Sequence, residues 1–99
     1  MSKTVERGFT IRSELGLHAR PAGEFAVLAG RFESEISVGD GREWVDGRSV
    51  LSLLSLAASR GVELRIRAVG ADADEAVTAL GALLERSHAE IESARPAER

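Results

Sequence analysis

The apolar residues of this chain switch between a period of two and a helical period, and the switches mark out its elements. Val5, Phe9 and Ile11 fall on odd positions among polar neighbours, which predicts a half-buried first strand. After the loop Ser13-Glu14-Leu15-Gly16, Ala22, Phe25, Ala26 and Ala29 recur at helical spacing, and Gly30 stands where a C-terminal cap belongs. Pro21 sets the start of that helix, because a first-turn proline gives up an N–H that has no intrahelical partner. His18 therefore falls at or just before the helix start. Phe32 to Val38 reads as a second strand with Ile36 and Val38 on one face. Gly39-Asp40-Gly41 is a turn signal, and Trp44 with its neighbours makes a short third strand at the sheet edge.

Asp46-Gly47 leads into a second helix from Ser49 to Ala58, which Gly61 stops. Val62, Leu64, Ile66 and Ala68 then alternate with Glu63, Arg65 and Arg67, a strand with an apolar and a charged face. Asp72 with Glu75 resembles a capping box for the last helix, whose buried stripe is Ala76, Leu80, Leu83 and Leu84. From about Ser87 the composition turns polar, and Pro96 predicts a frayed end. Residues 1–86 read as one domain and 87–99 as a polar C-terminal extension. The order strand, helix, strand, strand, helix, strand, helix predicts a two-layer α+β sandwich, its sheet wet on one face and covered by three helices on the other.

Composition narrows the function classes. There are 13 Lys and Arg against 16 Asp and Glu, a net charge of -3, so the basic excess of a nucleic-acid binder is missing. Aromatic residues make up only 4% of the chain, few for stacking on bases. Without cysteine there is no disulfide framework and no thiolate metal site, which fits a reducing compartment. The first residues lack the apolar core of a signal peptide, and no apolar run reaches membrane-spanning length. A cytoplasmic monomer is the expectation these features leave.

Gly16-Leu17-His18-Ala19-Arg20-Pro21-Ala22 carries the candidate chemistry. An imidazole, which titrates at about 6.5 in water, is mostly neutral and nucleophilic at pH 7. A helix N-terminus offers N–H groups and partial positive charge to an incoming phosphoryl group. Arg20 adds a guanidinium fork for phosphate oxygens, and Gly16 lets the backbone bend before the helix. The bland alternative is a helix-start histidine satisfied by local hydrogen bonds. No other acidic residue or histidine clusters with His18 in sequence, so a metal site has little support, and His88 reads as a solvated surface residue.

This heptapeptide resembles the active-site signature of HPr, the phosphocarrier family of the bacterial phosphoenolpyruvate-dependent phosphotransferase system. Asp46-Gly47-Arg48-Ser49-Val50-Leu51-Ser52-Leu53-Leu54-Ser55-Leu56 resembles that family's regulatory-serine region, and the element order matches from about residue 4 to 86. The resemblance implies phosphorylation of His18 on Nδ1, with Enzyme I as donor and an Enzyme IIA domain of the sugar phosphotransferase system as acceptor. Arg20 would steady the phosphate, and Gly16, Ala19 and Pro21 would hold the backbone. No cofactor or metal is implied in the carrier itself. The implied fold is an open-faced sandwich with a four-stranded antiparallel sheet in the order 1-4-2-3.

Two readings stay open on the second helix. Val50, Leu53 and Ala57, with Leu56 beside them, suit the core, whereas Leu51 and Leu54 form a second stripe. That stripe either widens the core contact or is an exposed patch for partners; the resemblance favours a patch including Leu17, Arg48, Val50, Leu51, Leu54 and Ser55, ringed by Arg20 and Arg48. Ser49 is either an ordinary first-turn cap or, as the resemblance implies, the target of HPr kinase/phosphorylase. Val50-Leu51 departs from the Ile-Met common in regulated members. Three functions compete: a phosphoryl carrier, a regulatory docking module that signals through its phosphorylation state (a nitrogen-branch role among them), and a small-ligand or RNA-binding domain.

Overall fold

The computed structural model describes residues 3–86. His88 and the extension 87–99 lie outside the described residues. Seven elements follow one another: β1 (Lys3–Thr10), α1 (Ala19–Ala29), β2 (Glu35–Gly39), β3 (Trp44–Asp46), α2 (Val50–Ser55), β4 (Glu63–Gly70) and α3 (Ala73–Leu84). The strands form one antiparallel sheet in the order β1-β4-β2-β3, with the last strand of the chain's four lying between the first two. This is the expected open-faced sandwich.

Register divides the sheet into two faces. Leu64, Ile66 and Ala68 of β4 are fully buried, as are Val38 and nearly so Ile36 of β2. With Phe25 of α1, Leu53 of α2, and Val77 and Leu80 of α3 they make one core. The opposite face carries the charges that alternate with them. Glu6 on β1 is paired directly with Arg67 on β4, and its carboxylate accepts from Arg65 Nε at 2.8 Å and from Arg67 Nε at 3.2 Å. The Arg65 hydrogen bond, more than the Arg67 one, holds the Glu6 carboxyl below the usual carboxylate range. Arg67 also lies over the ring of Trp44 at 4.6 Å, on the expected edge strand.

Several local features differ from the sequence expectation. β2 begins at Glu35 rather than Phe32, because the intervening backbone is satisfied by turns and side chains instead of a ladder. Arg31 and Phe32 N–H groups bond back to Leu28 and Ala29, and the N–H groups of Glu33 and Ser34 go to the Asp72 carboxylate. That also overturns the capping box: Asp72 is the N-cap of α3 by position, but its side chain makes no bond to its own helix. The second helix is only Val50–Ser55, ending well short of Ala58. Leu56 and Ala57 N–H groups take the tighter three-residue bonds to Leu53 and Leu54, and Ala57 turns out of the helix at φ +51°. Ala57, expected in the core stripe, is exposed, and Leu56 and Ala58 are buried in its place.

Candidate functional site

The segment 13–18 owes its course to one glycine and one long-range contact. Gly16 adopts φ +72°, a conformation that side chains with a Cβ disfavour. A Cβ on it would stand 2.5 Å from the carbonyl oxygen of Ala58, so the loop is pressed backbone to backbone against the exit of α2. Gly16 N–H donates to Ser13 C=O at 3.0 Å, and Leu17 N–H to Ala58 C=O at 2.9 Å. The chain then enters α1 with its apolar side anchored: Ala22, Phe25 and Ala29 are fully buried.

His18 is the N-cap of α1, in extended conformation at φ -106° and ψ -173°. Its carbonyl accepts the first intrahelical bond, from Ala22 N–H at 3.0 Å. The imidazole makes no capping bond to its own helix, and no acidic residue stands in the first turn. The partial positive charge of the N-terminus is thus left uncompensated by the helix itself. The residue is half-buried, and its Nε2 is inside. Arg20, in the first turn of the same helix, is half-buried, Ala19 is exposed, and Pro21 is buried in the core. An imidazole, a helix N-terminus and a guanidinium are therefore carried by three consecutive residues at one helix end.

The second expected region is placed differently in several respects. Ser49 is the N-cap of α2, and its Oγ accepts from Ser52 N–H at 3.2 Å. Leu51 is 82% exposed, so this half of the second stripe is surface and not core. Leu54 and Val50, expected on the partner patch, are only half-exposed and pack against the core. Ser55 is exposed, its Oγ turned back to Ser52 C=O at 2.6 Å. Leu17 is a correction: expected among the docking residues, it is 6% exposed and belongs to the core, because its amide is drawn onto Ala58. Arg48 is exposed, as expected, and its guanidinium also donates to Ser34 C=O at 2.8 Å and Phe32 C=O at 3.2 Å, bracing the turn before β2.

Two exposed apolar residues escaped the sequence reading. Leu15 and Val27 are each 62% exposed, one on the loop before His18 and one on α1. Both carried a signal, Leu15 as an apolar residue inside a polar loop and Val27 as a departure from the Ala22-Phe25-Ala26-Ala29 stripe. Among the described residues, no three side chains of metal-ligating type stand together, and no helix is long and apolar enough to cross a membrane.

Comparison with known proteins bears on the same residues. A family model described as "PTS HPr component phosphorylation site" matches residues 5–86. The chain is 42% identical over 76 residues to the phosphocarrier protein HPr of Pseudomonas aeruginosa, covering 76% of this chain and 84% of that one. It is 41% identical over 81 residues to the phosphocarrier protein NPr of Shewanella violacea, covering 82% and 89%. In three dimensions it is similar to the crystal structure of a phosphocarrier protein HPr from Bacillus anthracis, with a TM-score of 0.79 and 33% identity over 83% of this chain and 98% of that one.

Proposed function

The chain belongs to the HPr family of phosphotransferase-system phosphocarriers, and from that premise we propose that His18 is the residue that carries the phosphoryl group. The single observation that carries this reading is the placement of His18 as the N-cap of α1 with Arg20 in the first turn. The phosphorus bond to the donor breaks as a bond to Nδ1 of His18 forms, and the reverse exchange passes the group on. With Nε2 inside, Nδ1 is the ring nitrogen this reading assigns to attack. The phosphoryl oxygens then meet the N–H groups of the first turn and the fork of the Arg20 guanidinium.

The donor in this reading is phosphoenolpyruvate-charged Enzyme I, and the acceptor is an Enzyme IIA domain in cytoplasmic sugar uptake. Leu51, Leu15 and Ser55 supply exposed contact surface, and a carrier that must leave each partner quickly is served by a small interface. The test is phosphotransfer with Enzyme I, Mg²⁺ and labelled phosphoenolpyruvate. Acid-labile, alkali-stable label that disappears in His18→Ala is expected. Label retained by that variant, or no label on the native chain from a donor that charges itself, would overturn the assignment.

A second reading gives the carrier a regulatory output. What favours it is the near-equal identity to relatives named HPr and NPr, 42% and 41%. Offering the charged carrier a sugar-specific Enzyme IIA separates the two: rapid discharge supports sugar transport, and a charge that is retained supports regulation. Within that second reading Ser49 is the further point of control, where a phosphate would have to displace the hydroxyl's bond to Ser52 N–H.

A further inference from the structure

Ala57 is, among the described residues, the only one other than glycine with positive φ, at +51°. A side chain with a Cβ pays a steric cost there, which is why glycine or asparagine normally takes the position just past a helix C-cap. Its own side chain is exposed and gains no burial in return. The conformation is instead imposed by what lies on either side of it. Its N–H donates to Leu54 C=O at 3.0 Å, closing α2, and the next residue, Ala58, is buried at 7% exposure.

The turn at Ala57 sets the direction of the Ala58 carbonyl. That oxygen accepts from Leu17 N–H at 2.9 Å, one residue before His18. It is also the atom that leaves no room for a Cβ on Gly16, and Ser59 Cα stands 2.9 Å from the same point. Gly61 N–H donates to Ile11 C=O at 2.8 Å and Ile11 N–H to Val62 C=O at 2.9 Å, so both ends of the loop are tied to the segment that follows α2. A strained residue thus stands directly behind the contact that locates His18, and strain of this kind persists only where its surroundings require it.

We infer that Ala57 is a positioning residue for phosphoryl transfer, acting through its backbone: its left-handed turn aims the Ala58 carbonyl at the Leu17 amide, and that bond sets where the His18 ring stands at the end of α1. The inference rests on the reading of His18 as the acceptor. It also gives α2 a route to the site, because the helix that exposes Leu51 ends in the turn that supports His18.

The experiment compares Ala57→Val and Ala57→Gly in the full chain. Ala57 is exposed, so valine meets no packed core, yet its branched Cβ disfavours positive φ. Glycine keeps the turn without the steric cost. The scalar coupling across the Leu17–Ala58 hydrogen bond and the pH titration of the His18 ring are followed by NMR on uncharged protein, and phosphate uptake from charged Enzyme I is timed separately.

Ala57→Val is expected to weaken the coupling, move the ring titration and slow uptake on the order of tenfold to a hundredfold, the scale of a misplaced reacting group. Ala57→Gly is expected to keep all three at the native level. A valine variant that melts earlier but keeps the native coupling, ring titration and uptake rate would reduce Ala57 to a structural role and overturn the inference. If that variant does not fold, Gly16→Ala presses on the same contact from the loop side, and an unmoved His18 ring and uptake rate there would be equally decisive. Should the native chain take no phosphate on His18, the carrier reading fails, while the coupling and ring titration still decide the positioning.

Discussion

Ser34 and Asp72 are 38 residues apart in sequence, and the Ser34 hydroxyl donates to the Asp72 carboxylate at 2.5 Å. Asp72 also accepts from Glu33 N–H at 2.8 Å and Ser34 N–H at 3.0 Å. The residue at the start of α3 thereby holds the turn that feeds β2. Arg48 braces the same turn from its other side through the carbonyls of Phe32 and Ser34. Ser34 is fully buried, and its hydroxyl, N–H and carbonyl all find partners within the protein.

Acid should loosen this arrangement. The Ser34 hydroxyl, then the Glu33 and Ser34 N–H groups, hold the Asp72 carboxyl below its ordinary value, against an opposing effect of burial. A carboxyl whose folded pKa lies below its unfolded value contributes stability that is complete above the unfolded value, about 3.9, and is lost as pH falls through the folded one. Glu6 acts in the same direction through Arg65 and Arg67. Urea midpoints are expected to hold steady down to about pH 5 and then fall, with a shallower fall in Asp72→Asn. Equal slopes in the two proteins would clear Asp72 of the effect.

Gly81 offers a contest between two known magnitudes. Replacing a helix-interior glycine by alanine ordinarily stabilises by about 1 kcal/mol. Here the added Cβ would stand 2.1 Å from Cε1 and Cζ of Phe9, whose ring lies across α3. Overpacking of this sort costs about 1–3 kcal/mol, so Gly81→Ala is expected to lower the melting temperature despite its helix propensity. Adding Phe9→Leu should recover part of the loss. A Gly81→Ala chain that melts higher than the native one would show that the ring moves aside at little cost.

Leu51 and Leu53 are near neighbours on α2 with opposite duties. Leu53 is 1% exposed and Leu51 82%. Leu53→Ala is expected to cost about 2–5 kcal/mol of stability, as a core truncation. Leu51→Ala should stay within about 0.5 kcal/mol of the native chain, while Leu51→Glu should weaken binding to Enzyme I in a calorimetric titration. Undiminished affinity in Leu51→Glu would remove that side chain from the docking surface.

Much of this protein was legible in one dimension because much of it depends on near neighbours. The alternation of Leu64, Ile66 and Ala68 with Arg65 and Arg67 identifies a strand and its inward face, since side chains two apart share a face in any strand. The candidate site is legible for the same reason. His18 caps α1 and Arg20 and Pro21 stand in its first turn, with Gly16 two residues before the cap, so a helix start alone gathers the imidazole, the guanidinium and the N–H groups.

Other features belong to the tertiary structure, because each depends on which distant backbone arrives beside it. Leu17 and Leu51 are equally apolar; one is core and the other surface, according to whether a carbonyl such as that of Ala58 draws the chain inward. Asp72 has the sequence of a helix cap, yet the turn at Glu33 and Ser34 offers its carboxylate two N–H groups and a hydroxyl, more than its own helix would. The early end of α2 and the strained turn at Ala57 follow from the need to meet the loop before His18. Local periodicity determines which side chains share a face; only the closed fold decides which backbone groups find one another, because a hydrogen bond has a direction and a length that no spacing in sequence encodes.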